Sequence, residues 1–395
     1  MEATGEERHM LGTAKKAERL TGQAAFKTLA RARELERKGV DVLHFEIGEP
    51  DGPSPPHVVE AAKKALDGEY THYIASSGIP ELREAVRDEV EAARGFRPDM
   101  DQVLITPGAN PIIYFAASVL MEQDDEVILP DPGFMSYQSV FNYLGVPKRG
   151  IRLREDNKFR MSPADVEAAI SPKTKLIVMN SPQNPTGSVM TGAEVEEMAD
   201  IAERSGSYLL SDEIYGKLTY GVKHHSPAAR DECKERTILL DGFSKAYAMT
   251  GWRLGYCVGP RDVIAKMALL LETTVSCTTS FVQKGGVAAL KGPQDSVRAM
   301  RDQFRERRDA IVAGLNSVPN VSCIVPDGAF YAFPNITKTG MTSEQFSEHL
   351  LNDLGIAALP GTAFGPGGEG YVRFSYATSL ESIEKAIGRM KKDSF

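Results

Sequence analysis

The chain has 395 residues, 42% hydrophobic and 25% charged, with 35 glycines, 23 prolines and a formal net charge of −8. That length exceeds what one core ordinarily holds, about 250–300 residues, and predicts a large domain with a smaller one beside it. The acidic balance argues against a nucleic-acid surface and against nonspecific binding to polyanions.

The N-terminal stretch MEATGEERHMLGTAKKAERL is charged and has no apolar core of a secretory leader. No apolar run approaches the roughly 20 residues of a membrane helix. The four cysteines, Cys233, Cys257, Cys277 and Cys323, include no closely spaced pair of the kind that holds zinc or a redox disulfide. Reduced thiols in a cytoplasmic protein are the expectation, and the sequons at Asn320 and Asn335 are expected to stay unmodified.

In chain order, residues 14–38 read as a polar, charged helix, and VLHFEIG (Val42 to Gly48) as a short strand entering the Pro/Gly-rich segment EPDGPSPP. HVVEAAKKALD and PELREAVRDEVEAARG have helical periodicity. From about residue 100, apolar strands alternate with helices: QVLITPG, DEVILPDPG, KLIVMNSP, YLLSDEIY, TILLDGFS and LGYCVG. Several are continuous apolar runs ending in turn residues, as expected of strands buried on both faces of a mostly parallel sheet. Past about residue 296 a long charged helix, SVRAMRDQFRERRDAIVAGL, precedes shorter strands (SCIVP, AFYAFP, YVRFSYA) and further helices. The expected organisation is an α/β large domain over 56–295, its sheet flanked by helices, and a smaller α+β domain built from 1–55 and 296–395.

Ligands of such sheets sit beyond the carboxyl ends of the strands, and chemistry-bearing residues collect there. SPQNPTG (Ser181 to Gly187) is an Asn-Pro turn after a strand. SDEIY (Ser211 to Tyr215) puts an acid at a strand end and a tyrosine three residues on. SKAYAMTGWR supplies Lys245 and Arg253, and YVRFSYA supplies Arg373. Taken singly, an Asn-Pro turn and a strand-end aspartate are common turn and cap elements.

Together, in this order and spacing, they resemble the fold-type I pyridoxal-phosphate aminotransferases of the class I/II, aspartate aminotransferase-like branch, from IGEPD (Ile47 to Asp51) to Arg373. The resemblance implies a pyridoxal 5'-phosphate cofactor whose aldehyde joins Lys245. A lysine in water, with a pKa of about 10.4, would stay protonated, so burial must set its amine free to bond and to carry protons. Asp212 would face the pyridine nitrogen and keep the ring an electron acceptor. Asn184 and Tyr215 would bond the ring's phenolic oxygen. Ala109 and Asn110, in ITPGANPIIYF, would offer helix N-terminal amides to the phosphate, with Arg253 as its cation. Phe134, in DPGFMSY, would stack on the ring, and Tyr73, in THYIASSG, would reach the phosphate of a neighbouring subunit in a homodimer. Gly48, Asn184 and the two-pronged Arg373 would meet the substrate carboxylate. One position departs from the pattern: where many relatives carry a hydroxyl residue three before the lysine, this chain has Gly242, leaving Ser244 as a substitute phosphate contact.

The implied reaction is transfer of an amino group between an L-amino acid and a 2-oxo acid. The same cofactor supports β- or γ-elimination, replacement, cyclisation and oxidation, and a binding protein that keeps the fold without turnover is the reading from another class. Two signals are set aside. GPGGEG (Gly365 to Gly370) matches a dinucleotide-binding pattern by letter, but it precedes a strand instead of following one, and reads as a flexible loop near Arg373. His224 and His225 lack metal-ligand companions and read as a surface loop; no metal is expected.

Overall fold

The computed structural model describes residues 12–393. The first eleven residues of the expected N-terminal piece, and the last two of the chain, lie outside the described residues. The polar segment 14–38 is not one helix: a single 3-10 turn, Lys15–Arg19, is separated from the helix Ala24–Arg37. The intervening Leu-Thr-Gly-Gln stretch contains two poor helix formers, Thr21 and Gly22.

Twelve short strands follow among the described residues. β1 is Leu43–His44. The main sheet is made of β2 (Val103–Thr106), β3 (Glu126–Asp131), β4 (Lys148–Arg152), β5 (Thr174–Asn180), β6 (Tyr208–Asp212), β7 (Thr237–Gly242) and β8 (Gly255–Val258). Their spatial order is β2-β8-β7-β6-β5-β3-β4. All neighbours are parallel except β8, which runs antiparallel to both β2 and β7. The sheet is therefore mostly parallel, as expected. Six of its strands are the six apolar runs read from the sequence. The seventh, β4, was not foreseen: KRGIR is charged because it is an edge strand, with only one of its five residues buried.

Alternation along each strand sends side chains to two cores. Ile238 and Leu240 of β7 join Leu210, Val178 and Leu129 on one face, packed against the helix Asn110–Leu120 through Ile112 and Ala116. Leu239 packs on the other face with Val258, Ile105 and the helix Pro80–Arg94, while Leu209 and Ile177 pack with the helix Gly192–Ser205. Burial on both faces explains why these strands read as unbroken apolar runs.

β9 (Tyr331–Ala332), β10 (Ile356–Ala357), β11 (Leu359–Pro360) and β12 (Val372–Ser375) complete the set. β1 pairs with β10 in parallel, and β12 lies between β11 and β9. SCIVP forms no strand, only an isolated bridge between Ser322 and Asn335. Leu43 and Phe45 share a core with the long helix Asp295–Leu315, with β12, and with Tyr215 and Leu218 of the sheet's own strand-end loops. That shared core brings Arg373 of β12 to the carboxyl ends of β5, β6 and β7. The GPGGEG segment is not a loose loop. Gly367 and Gly368 are buried, and the Gly367 amide donates to Asp131 Oδ1 at 2.8 Å.

Candidate active site

A cavity of about 560 Å³ opens where the strand ends meet the segment after β1. Gly48, Ala109, Asn110, Phe134, Asn184, Asp212, Tyr215, Ser244, Lys245, Arg253 and Arg373 all line it. Every candidate site residue named from the sequence is thus brought to one place, with one exception. Tyr73 is 86% exposed and does not line this cavity.

Each side chain has a structural reason for its position. Asp212 ends β6 and Asn180 ends β5; the two are paired in register, and Asn180 Nδ2 donates to the Asp212 carbonyl at 3.0 Å. Asn180 Oδ1 also accepts from the Asn184 amide at 2.9 Å, which fixes the Asn-Pro turn. Lys245 lies on the loop three residues past β7, and its Nζ donates to the Gly48 carbonyl at 2.6 Å. Burial, reinforced by the nearby Arg373 charge, brings this amine down to about 8.

Asp212 is 4% exposed. Burial raises its carboxyl to about 6, against the lowering effect of two hydrogen bonds: Tyr137 donates to Oδ2 at 2.6 Å and the Ile214 amide to Oδ1 at 3.2 Å. An anion so placed, and so incompletely compensated, is suited to a cationic partner from the cavity. Arg373, 2% exposed, donates through Nη1 to Asn184 Oδ1 at 3.2 Å and through Nη2 to the Glu46 carbonyl at 2.5 Å. Its Nε is buried without a partner. The rings of Tyr331 and Phe364 flank the guanidinium at 4.6 and 4.9 Å.

The far end is shaped for a tetrahedral anion. Ala109 and Asn110 stand at the N-terminus of the helix Asn110–Leu120, where amides face outward. Arg253 sits against Gly108, so closely that a Cβ there would lie 2.3 Å from Nη2, and a Cβ at Gly255 would lie 2.5 Å from the Ala109 amide nitrogen. Glycine at both positions leaves the cradle open. Gly242 has its own reason: a Cβ there would come within 3.1 Å of Gly255 Cα. A side chain there would require β8 to give by a few tenths of an ångström, while Ser244 lines the cavity. The donor set fits a phosphorylated pyridine aldehyde: an amine, a buried carboxylate, an aromatic face at Phe134 and an anion cradle in one pocket.

Several residues in and around the cavity escaped the sequence reading. Tyr137 follows Phe134 at helical i+3 spacing, and its ring meets Phe134 edge-on at 5.6 Å. Tyr331 bonds Tyr215, hydroxyl to hydroxyl, at 2.7 Å. Gln23, Phe26 and Glu49 complete the mouth, and Thr250 donates to Glu49. His224 is not on a free surface loop; its Nε2 bonds the fully buried Glu213 at 2.9 Å, below the site.

Comparison with known proteins agrees with this geometry. Residues 40–390 match the family described as Aminotransferase class I and II. An aspartate aminotransferase of Pyrococcus horikoshii is 43% identical over 92% of each chain. Aromatic-amino-acid aminotransferase 2 of Thermococcus litoralis is 40% identical over 89% of this chain and 91% of that one. The structure of Thermus thermophilus aspartate aminotransferase with maleate superposes with a TM-score of 0.93 at 34% identity, over 97% of this chain and 100% of that one. The chain belongs to the class I and II aminotransferases.

Proposed function

We propose that the chain is a pyridoxal-phosphate-dependent transaminase in which Lys245 carries the cofactor, Asp212 faces its ring nitrogen and Arg373 takes the substrate carboxylate. The observation that carries this reading is the convergence of these three charged groups on one cavity of about 560 Å³, with the Lys245 amine brought down to about 8. That volume is in the range of small-molecule sites, about 300–1,000 Å³.

Family members use pyridoxal phosphate, and the bound cofactor supplies an electron sink for the substrate's Cα carbanion. The rest is done by this chain. Lys245 Nζ would join the aldehyde and, once released, would be the base that moves the Cα proton; a pKa near neutrality suits both tasks. Asp212 would hold negative charge where the ring nitrogen needs it. Asn184 and Tyr215 would hold the phenolic oxygen, and Phe134 would cover the ring. Ala109, Asn110, Ser244 and Arg253 would cradle the phosphate. Arg373 accepts the amino acid's carboxylate by exchanging its present partners, the Asn184 side chain and the Glu46 carbonyl. Gly48 presents backbone to the same carboxylate.

The reading extends to a cytoplasmic homodimer in which Tyr73 completes the partner's phosphate site; its 86% exposure in one chain supports an outward role. It also extends to a two-domain division, 56–295 for the cofactor and 1–55 with 296–395 closing over substrate. Among the described residues no helix is long and apolar enough to cross a membrane.

The test is spectroscopic. Protein loaded with pyridoxal phosphate is expected to be yellow, and to lose that band to the pyridoxamine form when an amino acid is added without oxo acid. A preparation that takes up no cofactor, or one that releases ammonia or an eliminated side chain instead, overturns the proposal.

A further inference from the structure

Tyr331 touches three of the residues assigned above, although nothing in its sequence setting distinguishes it from a core aromatic. It belongs to β9 and is 1% exposed, yet it lines the cavity. Its hydroxyl lies 2.7 Å from that of Tyr215. Its ring lies 4.6 Å from the Arg373 guanidinium, on a face that favours a cation. The same hydroxyl occupies the space beside Gly48: a Cβ on that glycine would come within 2.3 Å of it. Gly48 in turn holds Lys245 through its carbonyl.

We propose that Tyr331 is a positioning residue for the transamination, its ring setting the plane of Arg373 for the substrate carboxylate and its hydroxyl backing Tyr215. The inference rests on the cofactor reading above. A phenol has one proton to donate and lone pairs to accept with. If Tyr215 donates to the cofactor's phenolic oxygen, it has no proton left for Tyr331, so Tyr331 must be the donor of the pair. A hydroxyl that accepts a hydrogen bond becomes a stronger donor itself. Tyr331 therefore strengthens the bond that stabilises negative charge on the cofactor oxygen. The burial that pushes both phenols up keeps both protons in place at neutral pH.

The two roles separate by substitution in the loaded enzyme. Tyr331→Phe keeps the ring and removes the hydroxyl. It is expected to leave KM for the amino donor within about twofold, while the pH midpoint of the cofactor's absorbance change moves up by about half to one unit. In a Tyr215→Phe background the same substitution is expected to add no further shift, because the effect runs through Tyr215. Tyr331→Leu also removes the ring face. It is expected to raise KM about tenfold, and to weaken binding of an α-methyl amino acid, which has the carboxylate but no Cα proton, by a similar factor. Tyr331→Met, unbranched and better able to fill an irregular gap, serves the same comparison if the leucine variant does not fold. A midpoint unmoved in Tyr331→Phe, or a full shift persisting in the Tyr215→Phe background, overturns the hydroxyl role; unchanged analogue affinity without the ring overturns the other. Either failure would leave wild-type colour and turnover intact, whereas loss of those would end the cofactor reading itself.

Discussion

Two consecutive residues at the end of β6 face different worlds. Asp212 looks into the cavity, where burial raises its carboxyl to about 6 against the pull of the Tyr137 hydroxyl and the Ile214 amide. Glu213 looks away from it. Burial alone would raise the Glu213 carboxyl too, but Arg94, then His224 and Ser226, outweigh burial and hold it at about 2. Arg94 bonds Glu213 at 2.9 Å and Asp241 at 2.7 Å, and Tyr256 donates to the same Asp241. Asp241 sits in β7, four residues before Lys245. The same two strands thus carry a closed ion network on one side and an open, under-compensated set on the other. The closed side fixes the strand ends; the open side keeps charge available for a ligand. Function is located where electrostatic satisfaction is withheld.

Five substitutions test whether the two sides divide the work in this way. The largest effect is expected from Lys245→Ala: turnover falls by at least about 10⁴-fold while the melting temperature is kept, because only the open side is touched. Arg94→Met is the mirror case. Leaving two buried carboxylates without their cation is expected to cost about 3–5 kcal/mol of stability by denaturant unfolding, with kcat per folded molecule within a few-fold of wild type. Equal losses of kcat in both variants would erase the division.

Stability of the cofactor-free protein against pH sharpens it further, because the two neighbours have opposite signs. The folded Asp212 carboxyl lies above its unfolded value, so its contribution is present at low pH and is lost as pH rises from about 4 to about 6, by up to about 3 kcal/mol. Asp212→Asn is expected to flatten that decline and to make the cofactor-free protein more stable at neutral pH. Glu213 lies below its unfolded value, so its contribution is present above about 4.5 and is lost as pH falls toward 2. Glu213→Gln is expected to lose most stability at neutral pH and least in acid. The smallest effect is expected from Arg373→Lys, about a hundredfold in kcat/KM and mostly through KM, since an ammonium cannot replace a planar two-pronged donor.

How much of this was legible beforehand follows from physical cause. Unbroken apolar runs mark strands buried on both faces, so six of the seven main strands could be read. Lys245, Asp212, Asn184 and Arg253 sit at or near strand ends in short, recognisable strings. The edge strand β4 was invisible because only one of its five residues is buried, whereas β2 at the other edge is buried throughout and apolar enough to read. Tyr331 and Tyr137 were invisible because a buried tyrosine in an apolar run looks the same whether its hydroxyl meets a neighbour or a reaction centre. The crowding of Gly242 against Gly255 needs a register between β7 and β8 that no single segment contains. His224 looked like a loop residue because its partner Glu213 is eleven residues away and beneath the surface.

The buried glycine turn before β12 has one more implication. Gly367 is bonded to Asp131 at the end of β3, and the Gly133 amide is bonded to the Phe364 carbonyl at 2.8 Å. Phe364 lies against Arg373, and Phe134 directly follows Gly133. The Arg373 guanidinium and the Phe134 ring are therefore linked through Phe364 and Gly133. In the proposed enzyme, the wall behind the substrate carboxylate and the wall over the cofactor ring thus share one support.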